Sequence, residues 1–207
     1  MTYSVGIFVF DNVEVLDFAG PYEVFTTASR VYGKQNLLSS VTPFEVFTIG
    51  QTKESVRARA GLKIDPDFDF KAHPKIDVLL IPGGVVTEVL KDASIINWIT
   101  TTSKQAQLTA SICTGAFLLA KAGLFEGKSA TTHWEDINDL RVMFPTLDVK
   151  EQMRWVDEGE IVTSAGISAG IDMSLHLLER LMGRDLAIKT AKQMEFDWTE
   201  NCASIAL

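Results

Sequence analysis

The chain has 207 residues, a net charge of −8 and a hydrophobic fraction of 46%. That length suits one α/β domain over 1–207, and the apolar content is ample for a full core without disulfide or metal staples. The acidic balance argues against general nucleic-acid binding, no apolar run is long enough to span a membrane, and the two cysteines, Cys113 and Cys202, do not make a disulfide framework.

The opening segment Tyr3–Phe10 is β-rich, with no basic lead and no cleavage site. It reads as a strand ending at the turn pair Asp11-Asn12, and a reducing cytoplasm is the expected compartment. Pro21 suits the first turn of a helix running through Tyr22, Val24, Phe25 and Ala28. Phe44–Ile49 alternates and stops at Gly50, as a strand does, and 56–65 reads as an extended ribbon turning near Gly61. Ile76–Ile81 is almost continuously apolar, as expected of a strand buried on both faces, and breaks at Pro82-Gly83-Gly84. Helical spacing of Ile95, Ile96 and Ile99 predicts a helix over 93–106. Next come a strand to Ile112, a single cysteine, and at once a helix to about Lys121. Residues 127–134 read as a short strand leading to a helix over 135–143. Met153–Val156 and Ile161–Ser164 flank an acidic hairpin turn, and helices are expected over 168–182 and 184–194. Strands and helices alternate, so the class is α/β with a mostly parallel sheet.

In such sheets ligands gather outside the carboxyl ends of the strands, and the chemistry-bearing residues fall there. Cys113, between small Ser111 and Gly115, occupies a strand-turn-helix elbow. It is the candidate nucleophile, its thiolate expected to be favoured by the helix N-terminus. The N–H groups of Thr114 and of Gly83 or Gly84 are candidate oxyanion donors. Asp17 is the candidate acid/base; taken alone it reads as a helix-cap carboxylate. His133 could pair with Cys113 as base or orienting group, with a structural role as the competing reading. His73, His176 and Cys202 read as structural or incidental. No metal-ligand spacing and no phosphate-cradling glycine loop is present, so neither metal nor cofactor is expected. If the chain is an enzyme acting on a small, mostly apolar molecule, some of its aromatic residues, 12 Phe and 4 Trp among them, could line the pocket, while most of them are expected in the core.

These residues resemble a known superfamily, ThiJ/PfpI, which is related to the class I glutamine amidotransferases. The marks are Asp17-Phe18-Ala19-Gly20-Pro21, Ile81-Pro82-Gly83-Gly84, Ser111-Ile112-Cys113-Thr114-Gly115-Ala116, Ala122–Gly127, Ala130-Thr131-Thr132-His133-Trp134 and Ser164–Asp172. Within it the pattern is most similar to isocyanide (isonitrile) hydratases and to the ligand-binding domain of AraC-type regulators. The resemblance implies a flavodoxin-like three-layer sandwich, a strained elbow at Cys113 and a homodimer. It also implies that Cys113 attacks an isocyanide carbon to give a thioimidate, with Asp17 as acid/base, Thr114 near Asp17 or substrate, and Gly166-Ile167 lining the pocket. The loop Ser164-Ala165-Gly166 is less glycine-rich than the hydratase pattern, and the chain to Leu207 leaves no room for a helix-turn-helix. The alternatives are a ligand- or redox-sensing protein without turnover, an oxoaldehyde hydratase or deglycase, and an amidase or peptidase.

Overall fold

A computed structural model of the chain describes residues 2–35 and 41–201. In chain order the elements are β1 (Tyr3–Phe8), α1 (Val15–Gln35), β2 (Phe44–Gly50), β3 (Val56–Arg57), β4 (Lys63–Ile64), β5 (Phe68–Asp69), β6 (Val78–Ile81), α2 (Ala93–Ser103), β7 (Leu108–Ile112), α3 (Gly115–Lys121), β8 (Ser129–Ala130), α4 (Ile137–Met143), β9 (Asp148–Val149), β10 (Trp155–Asp157), β11 (Ile161–Ser164), α5 (Ala169–Met182) and α6 (Arg184–Gln193). Seven strands form one sheet in the order β10-β11-β7-β6-β1-β2-β5. All neighbours pair in parallel except the β10–β11 hairpin.

The layering follows from the alternation of side chains along each strand. Val5, Ile7, Val78 and Leu80 face α1, α5 and α6, packing with Val24, Phe25, Leu175 and Leu178. Phe8, Leu79 and Ile81 face α2, α3 and α4, packing with Ile95, Ile99, Phe117 and Leu140. Because both faces of β6 and β7 are covered, every residue of those strands is buried. The architecture is therefore a flavodoxin-like three-layer α/β sandwich with a mostly parallel sheet. Among the described residues no helix is long and apolar enough to cross a membrane.

Several elements differ from the sequence reading. Helix α1 begins at Val15, so Pro21 lies inside it rather than in its first turn. One missing N–H donor is tolerated there because Gly20, Pro21, Val24 and Phe25 are all buried against neighbouring elements. The strand before His133 is only Ser129–Ala130; it pairs with β9 in a separate two-stranded sheet, not in the central one. A short 3₁₀ turn, Trp134–Asp136, precedes α4. The ribbon over 56–65 is present as the antiparallel β3–β4 pair.

Candidate active site

Four adjacent strands, β11, β7, β6 and β1, end side by side, and each delivers one piece of the site. Asp17 follows β1 in the first turn of α1, Gly83 and Gly84 follow β6, Cys113 follows β7 and Ile167 follows β11. Two of these residues hold left-handed backbone conformations, Cys113 at φ 55 and Ile167 at φ 54. Residues other than glycine are uncommon there and a β-branched one such as Ile167 is rare, so the pair marks stored strain at one place. The elbow is held by its own backbone: the Cys113 N–H donates toward Ser164 O at 3.2 Å and Ala165 O at 3.3 Å. Thr132 Oγ1 donates to the Cys113 carbonyl at 2.8 Å. Gly115 is required by packing, since a Cβ there would sit 2.1 Å from Ile81 O.

The Asp17 side chain is fully buried. Its Oδ2 accepts from Gly83 N–H at 3.0 Å, while its Oδ1 has no hydrogen-bond partner. Burial pushes its pKa up to about 7; Gly83 N–H, the Cys113 thiol and Ile167 N–H oppose that rise, and the Glu14 carboxylate adds to it. Cys113 is 7% exposed. Burial, followed by the Asp17 and then the Asp136 carboxylate, pushes its thiol up to about 12, against a lowering from the Thr114 N–H and hydroxyl. The expectation of a resting thiolate is thus corrected: desolvation and neighbouring carboxylates outweigh the helix terminus. The pair rests as a neutral thiol beside a carboxyl poised near neutrality.

The glycine loop also differs from its expected role. Gly83 N–H serves Asp17, and Gly84 N–H donates to Thr114 Oγ1 at 2.9 Å, so neither amide is free to meet an oxyanion. Thr114 Oγ1 in turn donates to Gly84 O at 2.9 Å, clamping the loop to the start of α3 instead of reaching Asp17. The Thr114 N–H is the expected donor that does face the sulfur. Gly83 is small for a reason: a Cβ there would lie 2.6 Å from Thr114 N and 2.9 Å from Asp17 Oδ2.

Cys113 opens on a cavity of about 280 Å³ lined by Glu14, Arg59, Gly84, Thr114, His133, Glu135, Asp136 and Ile167. None of the Phe or Trp side chains lines it; the aromatic rings belong mainly to the core clusters, as the sequence reading expects of most of them. His133 stands across this cavity and makes no hydrogen bond with Cys113. Its Nδ1 accepts from Glu135 N–H at 3.4 Å and faces Asp136 Oδ2 at 3.4 Å. Gly166 does not line the cavity; it supports the His133 ring, because a Cβ there would fall 1.9 Å from His133 Cδ2. Beyond His133 and Ile167 lies a second, larger groove of about 530 Å³, where Trp134, Ile137 and Met153 are found.

Sequence reasoning missed Glu14, Arg59, Glu135 and Asp136. Glu14 was findable: it precedes Asp17 by one helical turn and so shares its side of the chain. Arg59 comes from the 3₁₀ turn between β3 and β4 and pairs with Glu14 at 3.1 Å, a contact no local pattern announces. His73 and His176 are engaged structurally, accepting from Trp98 Nε1 at 3.2 Å and bonded to Asp157 Oδ2 at 2.7 Å respectively. Cys202 lies outside the described residues. Among the described residues no group of three His, Cys, Asp or Glu side chains could hold a metal ion.

Comparison with known proteins shows the family. The model of the DJ-1/PfpI family matches residues 3–180. The chain belongs to the DJ-1/PfpI family. It is 33% identical over 197 residues to an isonitrile hydratase of Pseudomonas putida, covering 95% of this chain and 79% of that protein. It is 26% identical over 198 residues to the HTH-type transcriptional regulator GbdR of Pseudomonas aeruginosa, covering 96% of this chain but 52% of the regulator. In fold, this DJ-1/PfpI chain is similar to a ThiJ/PfpI family protein from Pseudomonas syringae, with a TM-score of 0.83 at 24% identity over 100% of this chain and 80% of that one. Drosophila melanogaster DJ-1beta matches with a TM-score of 0.79 at 22% identity, over 96% and 100% of the respective chains.

Proposed function

We propose that the protein is a cysteine-dependent hydratase that converts isocyanides to N-substituted formamides through a thioimidate on Cys113. The observation that carries this reading is the fully buried Asp17 carboxyl, with an unpartnered Oδ1 and a pKa near 7, beside a neutral thiol on a strained elbow. An isocyanide needs one nucleophile and one proton delivered to the same carbon, and this pair holds both.

In the proposed reaction Asp17 takes the thiol proton as the sulfur attacks the terminal carbon, then gives that proton to the carbon. The product of this step is R–N=CH–S–Cys113. Asp17 next draws a proton from water as its oxygen adds to the same carbon and passes that proton to the nitrogen, giving R–NH–CH(OH)–S–Cys113. Collapse breaks the C–S bond and releases R–NH–CHO, and the hydroxyl proton passes through Asp17 to the sulfur. The Thr114 N–H facing the sulfur stabilises negative charge as it leaves. Water and isocyanide are consumed one for one, and no oxidant or cofactor is called for.

The isonitrile hydratase relative supports this choice of substrate among the chemistries the fold can host. A ligand sensor without turnover is the second reading, favoured by the regulators of about twice this length that align along most of the chain. The homodimer belongs with either reading as a proposal. The deciding experiment is turnover of p-nitrophenyl isocyanide by wild type and by Cys113→Ala, with circular dichroism to check folding. The hydratase reading expects formamide from wild type and none from the folded variant. Equal rates from both, or tight binding without product in wild type, would overturn it.

A further inference from the structure

The walls of the Cys113 cavity carry more charge than its chemistry uses. Glu14, Glu135 and Asp136 face it with Arg59 and His133. Arg59 is taken up by Glu14 at 3.1 Å, so those two charges largely cancel. His133 lies between Glu135 Oε2 at 3.7 Å and Asp136 Oδ2 at 3.4 Å, two carboxylates on one ring. The Asp17 carboxyl, whose Oδ1 has no hydrogen-bond partner, acts on Cys113 as a further carboxyl group. The carboxylates that act on Cys113, those of Asp17 and Asp136, both push its pKa up. With Arg59 and Glu14 paired, the remaining carboxylates of Glu135 and Asp136 leave the cavity with an excess of negative charge, and a cleft lined mainly by one sign focuses field on whatever enters.

We infer that the mouth of this cavity is a charge filter: it admits neutral and cationic electrophiles to Cys113 and turns away anionic ones, with Glu135 and Asp136 setting the sign and Arg59 moderating it. This deepens the hydratase reading by naming its substrate class, uncharged or positively charged small molecules. α-Keto acids and other carboxylate-bearing electrophiles are excluded by the same field. An incoming anion would be brought close to several carboxylates, and Arg59, the one Lys or Arg among the described lining residues, is already paired with Glu14.

The filter can be read without any isocyanide. Methanethiosulfonates transfer an alkylthio group to a thiol sulfur, forming a disulfide and releasing methanesulfinic acid, so they need no other reactant. Rates at Cys113 are measured with a trimethylammonium-ethyl reagent, a sulfonato-ethyl reagent and neutral methyl methanethiosulfonate, using peptide-resolved mass spectrometry to separate Cys113 from Cys202. The cation-to-anion rate ratio, divided by that of free 2-mercaptoethanol, cancels any change in thiol pKa common to both reagents. We expect this quotient to exceed about tenfold in wild type and to fall with added salt. Glu135→Gln/Asp136→Asn should bring it to within about twofold of unity, and Arg59→Gln, by releasing Glu14, should raise it. A quotient of one in wild type overturns the inference, as does a quotient unmoved by the double variant. The salt arm uses wild type alone and so decides even if a variant misfolds. A chain inert to isocyanides that keeps the quotient would fail the hydratase reading only.

Discussion

Asp17 and Asp172 are both fully buried, both lie in the first turn of a helix, and those helices, α1 and α5, pack against the same face of the sheet. Their surroundings are opposite. Asp172 forms a short ion pair with Arg154 and accepts from Thr199 N–H at 2.8 Å, while its own carbonyl accepts from Trp198 Nε1 at 3.1 Å. Asp17 accepts from Gly83 N–H, with Ile167 N–H and the Cys113 thiol also acting on the carboxyl, and among the described residues no cation pairs with it. Burial raises the pKa of both. At Asp172 the Arg154 guanidinium and the Thr199 N–H work against that rise, which suits an anchor that pins the segment after α6 to the body of the fold. At Asp17 only the neutral donors Gly83 N–H, Ile167 N–H and the Cys113 thiol offset burial, no cation does, and in the proposed reaction the same residue type carries a proton. The difference lies in what the fold brings to each carboxyl.

The sharpest way to break this contrast is Asp17→Asn. If Asp17 moves the proton, kcat/KM for an isocyanide should fall by about 10²–10⁴-fold. Wild-type activity should rise with pH through about 7, as the carboxyl ionises and becomes able to accept the thiol proton, and the variant should lose that limb. Stability should move the other way. The folded pKa lies above the ordinary 3.8, so the unfolded chain binds fewer protons than the folded one between that value and about 7. Stability therefore drops as pH rises through this window, by about 4 kcal/mol once above it. Urea titration should find Asp17→Asn more stable than wild type at about pH 8, with the gap closing toward about pH 4. A variant that keeps full activity, or loses stability most at high pH, would remove the distinction between the two aspartates.

Asp172 should answer differently. Asp172→Ala leaves Arg154 without its ion partner in a site only partly open to solvent, and the loss should be about 3–5 kcal/mol by denaturant unfolding. Replacing both partners with apolar residues of similar volume should recover much of that, because the desolvation cost of the pair disappears with it. Tightness of binding at Cys113 should change little in the double variant. If it collapses with Asp172→Ala alone and is not restored, the two regions are not separable.

How much of this was legible in the chain depends on how local the cause is. The elbow was legible because an apolar strand, one cysteine and a helix start are consecutive, and Asp17, Gly83 and Ile167 follow strands that the sequence marks. The protonation of the pair was not, because it depends on β1, β6 and β7 lying side by side and bringing a second carboxyl to a buried thiol. The engaged amides of Gly83 and Gly84 were hidden for the same reason: their acceptors, Asp17 and Thr114, come from other segments. Arg59 and Asp136 sit on short 3₁₀ turns or their edges, where no periodicity signals a direction. Asp172 fell within a recognised stretch, yet its partner Arg154 is read only from the fold.

Thr132 offers the finest test, because it touches the strained side of the contrast without touching the proton. Its hydroxyl donates to the Cys113 carbonyl at 2.8 Å, in full burial. That carbonyl also accepts from Ala116 N–H at 3.3 Å, so removing the hydroxyl does not orphan it. Thr132→Val keeps the shape of the side chain and deletes one hydrogen bond, at an expected cost of about 0.5–1.5 kcal/mol. The elbow then holds its left-handed cysteine with one constraint fewer, and the sulfur samples positions away from Asp17. We expect kcat to fall several-fold with the pH limb near 7 unchanged, since the carboxyl and its burial are intact. A shift of that limb would mean that Thr132 acts through the charge of the pair, and the separation between what strains the site and what protonates it would have to be given up.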